Sequence, residues 1–286
     1  MRYAINLPLF EEYANPRLIA SLAQDAERAG WDGFFVCDHL VSDLVNPPPI
    51  GDPWITLAAV AAATERMRIG PIVTPLARRR PWKVARETVA LDHLSGGRLT
   101  LGVGLGFPPE LEFAKFGEDP SGRVRAAKLD EALEIVTGLW SGQPFSHSGE
   151  QFQVSEITFR PTPLQFPRIP IWVAGVWPRP RPFARAARWD GVVPMGDGLG
   201  YHEMMSVDST REVIAAIQRQ RTSDTAFDVV HWGSTPDGKT AVMDDYAEAG
   251  VTWWMETLAP WSYGWADEGP WPIEAMNERI RMGPRP

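Results

Sequence analysis

Apolar positions along the chain fall into short unbroken runs, and between the runs they recur every three or four residues. The first kind of segment reads as a strand buried on both faces, the second as an amphipathic helix. Arg2–Leu9 is the first apolar run. Asn15-Pro16 then supplies an N-cap and a proline at the first helical position, and Leu18, Leu22, Ala26 and Ala29 keep helical spacing until Gly30 stops it. Gly33–Cys37 is too short for a helix and predicts a second strand ending at Asp38-His39. Asp52-Pro53 opens a helix to Thr64, Arg68–Thr74 is the third strand, and Pro81 starts a helix that Ser95-Gly96-Gly97 ends. Leu99–Val103 is the fourth strand and runs into Gly104-Leu105-Gly106. A long helix beginning near Pro120 then carries Leu129, Leu133, Val136 and Leu139 on one face.

Residues 144–163 break this rhythm. Phe145, Phe152, Val154 and Ile157 alternate with polar residues around Ser148-Gly149, the pattern of an inserted β-hairpin. The alternation then resumes. Strand five is Ile169–Ala174, followed by a helix over Phe183–Trp189, a sixth strand at Gly191–Pro194 and a helix at Ser209–Arg221. Phe227–Trp232 is the seventh strand, Asp237–Ala249 a helix, Val251–Leu258 the eighth strand, and Ile273–Arg281 the last helix. Eight strands, each followed by a helix or a long loop, predict an α/β fold of the (β/α)8 TIM-barrel kind with a hairpin inserted after strand four. No linker or internal repeat divides residues 1–286, so one domain is expected.

Composition agrees with one large core: 44% of the 286 residues are hydrophobic. The net charge of −8 argues against a nucleic-acid partner, which calls for a basic surplus. No window approaches the roughly 18 consecutive apolar residues of a membrane span, and the first residues lack the pattern of a signal peptide. Cys37 is the only cysteine, which suits a reducing cytoplasm, the expected location. The late tryptophans, Trp253, Trp254, Trp261, Trp265 and Trp271, are either core filler or the lining of a pocket.

Barrel active sites lie where the strands end. Asp38-His39, Thr74, Gly104-Leu105-Gly106 and Gly175 occupy those ends. His39 at such a position is able to exchange a proton with a bound ring, or it merely hydrogen-bonds Asp38 or caps a loop. The glycines Gly104 and Gly106 either let a flat ligand approach the backbone or serve tight strand-end geometry. They are no dinucleotide fingerprint, because Phe107-Pro108-Pro109 is not expected to open a helix toward a pyrophosphate. Arg78-Arg79-Arg80 reads as a solvated face or an anion site. Arg179 and Arg181, beside a helix start near Pro182, are the better anion candidates. The five histidines stand at no metal-ligand spacing, so no metal site is expected, and no Gly-x-Ser-x-Gly elbow occurs. Residues 196–208, with glycines at 196, 198 and 200, suggest a loop that orders over a ligand.

Three segments resemble the bacterial-luciferase-like superfamily of flavin- and deazaflavin-dependent oxidoreductases. They are Ala26–His39, the long stretch Arg80–Gly106 with Leu91-Asp92-His93-Leu94-Ser95-Gly96-Gly97-Arg98-Leu99 at its centre, and Pro170–Gly175 with Ala186–Gly191. The resemblance covers roughly residues 1–195 and implies a barrel holding its cofactor at the mouth, against Asp38, His39, Thr74, Gly104 and Gly106. It implies phosphate contact at Gly175 and Val176, with Arg179 or Arg181 assisting. It also implies a catalytic histidine at His39 and an acidic partner after strand four, for which Glu110 is the nearest match. The expected activity is that of a monooxygenase using reduced FMN and oxygen on a small organic substrate, fed by a separate flavin reductase. The alternatives are hydride transfer with the deazaflavin coenzyme F420, served by a deazaflavin reductase, and a non-catalytic flavin-binding protein. Family habit implies a homodimer. The loop at Pro47-Pro48-Pro49, the hairpin and the tryptophans suggest an apolar or aromatic substrate.

Overall fold

The computed structural model describes residues 1–42, 47–200 and 203–285. His202 and part of the 196–208 loop therefore lie outside the described residues. Strands β1 (Arg2–Leu7), β2 (Gly33–Val36), β3 (Arg68–Pro71), β4 (Thr74–Pro75) and β5 (Leu101–Gly104) form the first half of the barrel. An antiparallel pair, β6 (Phe145–Ser148) and β7 (Gln153–Ile157), stands apart from it. The barrel resumes with β8 (Ile171–Trp177), β9 (Gly191–Gly196), β10 (Asp228–Gly233) and β11 (Trp253–Thr257).

The main sheet has the order β3-β2-β1-β11-β10-β9-β8-β5-β4. β3 and β4 at its two ends are consecutive halves of one stave, and a parallel bridge between Ile69 and Leu99 joins the ends. The nine strands therefore make eight parallel staves, the (β/α)8 arrangement. The predicted third strand is broken at Ile72-Val73, whose peptide bond is cis.

Helices α1 (Pro16–Arg28), α2 (Pro53–Ala63), α3 (Pro81–Ser95), α4 (Pro109–Glu112), α5 (Gly122–Trp140), α6 (Pro180–Ala186), α7 (Val207–Gln220), α8 (Val242–Glu248) and α9 (Ile273–Arg281) accompany the strands. Their starts follow local chemistry. Asn15 accepts from the Arg17 amide and Asp52 from the Ile55 amide, each ahead of a proline at the first helical position. α6 begins at Pro180, three residues before the expected start, because a proline in the first turn forfeits no intrahelical hydrogen bond. Among the described residues no helix is long and apolar enough to cross a membrane.

Two cores result. The larger lies between the strands and the helices. The smaller fills the barrel itself with Ala4, Phe35, Ile72, Trp172, Val193, Val230, Trp253 and Met255. Phe35 stacks on Trp172 at 5.2 Å, and Trp253 meets Trp172 edge-on at 5.4 Å. Gly191 admits this plug, since a Cβ there would stand 2.4 Å from Trp172 Cδ1. Trp253 is thus barrel filler, whereas Trp261 and Trp271 reach the mouth.

His231 on β10 is 1% exposed and stacks on Tyr246 of α8 at 3.9 Å. Burial pushes its imidazole down to about 3 from the ordinary 6.5, so it is neutral in the fold. Between pH 6.5 and 3 the unfolded chain binds a proton there that the folded chain refuses. Its contribution is therefore intact above 6.5 and lost as the pH falls toward 3, by about 1.4 kcal/mol per pH unit. His231→Gln is expected to flatten the loss of stability between pH 6.5 and 4.5 by that slope. Urea unfolding at three pH values checks it, and equal slopes in the two proteins would refute the assignment.

Candidate active site

At the C-terminal ends of the strands three cavities adjoin. A middle one of about 250 Å³ is walled by Ile72, Val73, Leu105, Ala174, Val176 and Met195. A small one of about 60 Å³ shares Cys37, His39 and Phe107 with it. An outer one of about 450 Å³ shares Val176, Arg179, Met195 and Trp232. His39 therefore stands on the divide between the small and middle spaces. Phe107 borders all three.

The polar side of this divide is a buried charge cluster. Asp38 leaves the end of β2 and is 3% exposed. It accepts from Thr74 Oγ1 at 2.9 Å, from Arg78 Nη2 at 2.5 Å and from Arg79 Nη2 at 2.7 Å. Arg78 also donates to the Asp38 carbonyl at 2.8 Å and to Glu112 through Nη1. Glu112 in turn meets His39 Nδ1 at 3.1 Å and accepts from the Leu40 amide at 3.2 Å. A carboxylate at Nδ1 keeps a proton on that nitrogen, which leaves the lone pair of a neutral imidazole on Nε2. The ring orientation of His39 is thereby set through Nδ1.

The arginine run thus divides. Arg78 and Arg79 are consumed inside, and Arg80 is exposed, 6.0 Å from the Trp82 ring. The acidic partner of His39 is Glu112, 1% exposed, rather than Glu110, which faces solvent. Both lie on α4, which opens at Pro109 despite the two prolines because its first turn has no use for a proline N–H. On a helix residues two apart point about 200° from one another, so only one of the pair can face inward.

The glycines serve packing more than ligand approach. A Cβ on Gly104 would meet Val73 Cγ2 at 2.6 Å, and one on Gly175 would meet Pro182 Cβ at 2.4 Å. Gly106 has φ +81°, a left-handed conformation few other residues accept, with Pro75 2.9 Å from its absent Cβ. All three still present backbone to the middle cavity. At its far side Val176 and Arg179 are present, whereas Arg181 is exposed and lines none of the three cavities. Arg179, with a side chain 66% exposed, pairs with Asp197 at 3.0 Å.

Two cavity arginines escaped the sequence pattern. Arg125 donates to the carbonyls of Leu105 and Gly106 at 2.9 and 2.8 Å, and Arg185 grips Asp130 bidentately at 2.6 and 2.8 Å. Nothing in the sequence separates them from the exposed arginines of other helices. Apolar walls with arginines on one side suit a flat heteroaromatic ring carrying an acidic tail. Among the described residues, no group of three or more His, Cys, Asp or Glu gathers as a metal site.

Removing Arg78 strands Glu112 as a buried carboxylate. Arg78→Leu is expected to cost about 3–5 kcal/mol in urea unfolding, and Glu112→Leu added to it to restore at least half. A single variant within 1 kcal/mol of the parent, or no recovery in the double, would show that the cluster is not interdependent.

Residues 3–259 match the family described as luciferase-like monooxygenase. An F420-dependent glucose-6-phosphate dehydrogenase of Beutenbergia cavernae is 35% identical over 59% of this chain and 49% of its own. The oxygenase component of a flavin-dependent trigonelline monooxygenase of Acinetobacter baylyi is 30% identical over 57% of this chain and 44% of its own. The chain thus matches only about half the length of these relatives. The solved coenzyme F420-dependent tetrahydromethanopterin reductase of Methanopyrus kandleri shares the fold with a TM-score of 0.74 at 17% identity, covering 99% of this chain and 98% of that one. The chain is a member of the luciferase-like monooxygenase family and has the TIM-barrel fold of its solved neighbour.

Proposed function

We propose that the middle cavity takes a flavin-type ring and that the chain couples two-electron transfer at that ring to proton transfer through His39. The His39–Glu112 pair, on the divide between the ring's cavity and the small one, carries this reading. It favours hydride transfer with coenzyme F420. In that reading His39 Nε2 would take the hydroxyl proton of a secondary alcohol as it becomes a ketone, and would return it in the reverse direction. The bound ring supplies hydride acceptance and delivery. Glu112 fixes the tautomer, Arg78 holds Glu112, and the apolar walls exclude water.

The acidic tail of such a cofactor would meet Arg179 and the backbone at Gly175 and Val176, with Thr74 and Asp38 behind the ring. Arg179 is the cavity arginine held least firmly, by one exposed carboxylate, and so the one able to turn to a phosphate.

A second reading, reduced FMN with oxygen and a separate flavin reductase, is supported by the apolar enclosure of the small cavity, whose aromatic walls would keep a reactive centre dry. The oxygenase-component relative follows that pattern. Absorbance titrations with F420 and with anaerobically reduced FMN decide between them. Saturable F420 binding with weak FMN binding is expected, the reverse would move the chain to the monooxygenases, and binding of neither would dispose of both. With F420 bound and a panel of secondary alcohols, His39→Ala is expected to lower kcat by about 100-fold or more with little change in cofactor affinity. Glu112→Gln should lower it less, and Glu110→Gln not at all. An unchanged kcat in His39→Ala would remove the proton-transfer role.

A further inference from the structure

The small cavity contains a polar group that the proton-transfer scheme does not use. Asn6, on β1, lines it together with Phe10, Leu258, Trp261 and Trp271, and is 1% exposed. Its Oδ1 lies 3.6 Å from Cys37 Sγ. Burial pushes the Cys37 thiol up to about 12, so it remains S–H and acts as the donor in that contact. The amide is thereby turned with its oxygen toward Cys37. Its Nδ2 is buried and has no hydrogen-bond partner among the described residues. A buried amide donor without an acceptor is costly and exceptional, and here it sits in the wall of a cavity that also contains His39.

We propose that Asn6 Nδ2 is a specificity-determining donor that reads a neutral oxygen on the substrate. The small cavity, about 60 Å³, has room for only one end of a molecule. The oxygen that Asn6 binds and the group that His39 serves therefore belong to the same end. The walls around Asn6 are mostly aromatic and aliphatic, with Ser42 and Thr257 as uncharged polar members, and among the described residues no arginine or lysine lines the cavity to favour a carboxylate or phosphate. The substrate class is thus a compact, uncharged, largely apolar ketone or secondary alcohol. The inference rests on the reading of the neighbouring cavity as the ring's site, since that reading makes the small cavity the substrate's.

The test uses the 286-residue chain labelled with ¹⁵N-asparagine, in which the asparagines are Asn6, Asn15, Asn46 and Asn277. It is titrated with cyclohexanone and, separately, with methylenecyclohexane, which has the same shape and no oxygen. The Asn6 side-chain amide is expected to shift downfield with the ketone alone, and the ketone to bind about fivefold more tightly than the hydrocarbon. Asn6→Leu should erase that preference. Should this variant fail to fold, assigning the other three asparagines identifies the Asn6 signal in the parent protein. An amide that does not move, equal affinities, or no ketone binding at all overturns the proposal. Cofactor titration is scored separately: ketone engagement of Asn6 without cofactor binding keeps Asn6 as the oxygen-reading donor but removes the flavin reading, and with it the assignment of the small cavity to that reaction's substrate. Cofactor binding with an unmoved amide does the opposite.

Discussion

Four charges at the barrel mouth, three with buried side chains and Arg79 partly buried, have to neutralise one another, and the rest of the site is arranged around that requirement. Asp38, Glu112, Arg78 and Arg79 come from the end of β2, from α4 and from the turn after β4. A carboxylate left alone in such surroundings would take up a proton or pull in water, so none of the segments can drift without exposing a charge. Two cations and two anions close the account locally. His39 attaches to this set through Glu112, so its ring is oriented by a group that is itself clamped.

Beneath the charges the barrel is solid. Phe35, Trp172 and Trp253 pack as a plug across its interior, and the three cavities of the mouth lie at the strand ends beyond it. Close-packed interiors transmit displacement and do not absorb it. The strand ends that bear Asp38 and Gly175 are thus fixed from below by the plug and from above by the charge cluster. Such a double constraint holds the strand-end side chains in fixed rotamers.

The barrel was legible in the sequence because buried parallel strands and amphipathic helices differ in period, and the caps at Asn15 and Asp52 are local devices. Asp38 and His39 stand at a strand end, as a polar residue directly after an apolar run suggests, whereas Thr74 opens the short strand β4 and is buried against Asp38. Other features depend on geometry that no period encodes. Whether Glu110 or Glu112 faces inward turns on a four-residue helix beginning at a proline. Arg78 and Arg79 look like a solvated run until Asp38 and Glu112 are brought to them from positions 34 or more residues away in the chain. For Gly104 the pattern left ligand approach and tight strand-end geometry both open, and only the fold shows that Val73 occupies the space a side chain there would take, as Pro182 does at Gly175.

The electrostatics of the mouth also run against the whole-chain balance. With a formal charge of −8, the protein as a whole disfavours an anionic ligand. At physiological salt that long-range repulsion fades beyond about 8 Å, so the groups within the cavity decide. There, Arg125 is held by backbone carbonyls and Arg185 by Asp130, which fixes their positions without removing their charge. Only Arg179 is both charged and free to move its head group, because its partner Asp197 is itself more than half exposed. The mouth thus combines prepositioned positive charge with one adjustable cation. The Arg179–Asp197 pair is a single surface ion pair and is broken at little cost, because exposed pairs contribute little. The deeper pairs, whose loss would unsettle His39, stay untouched.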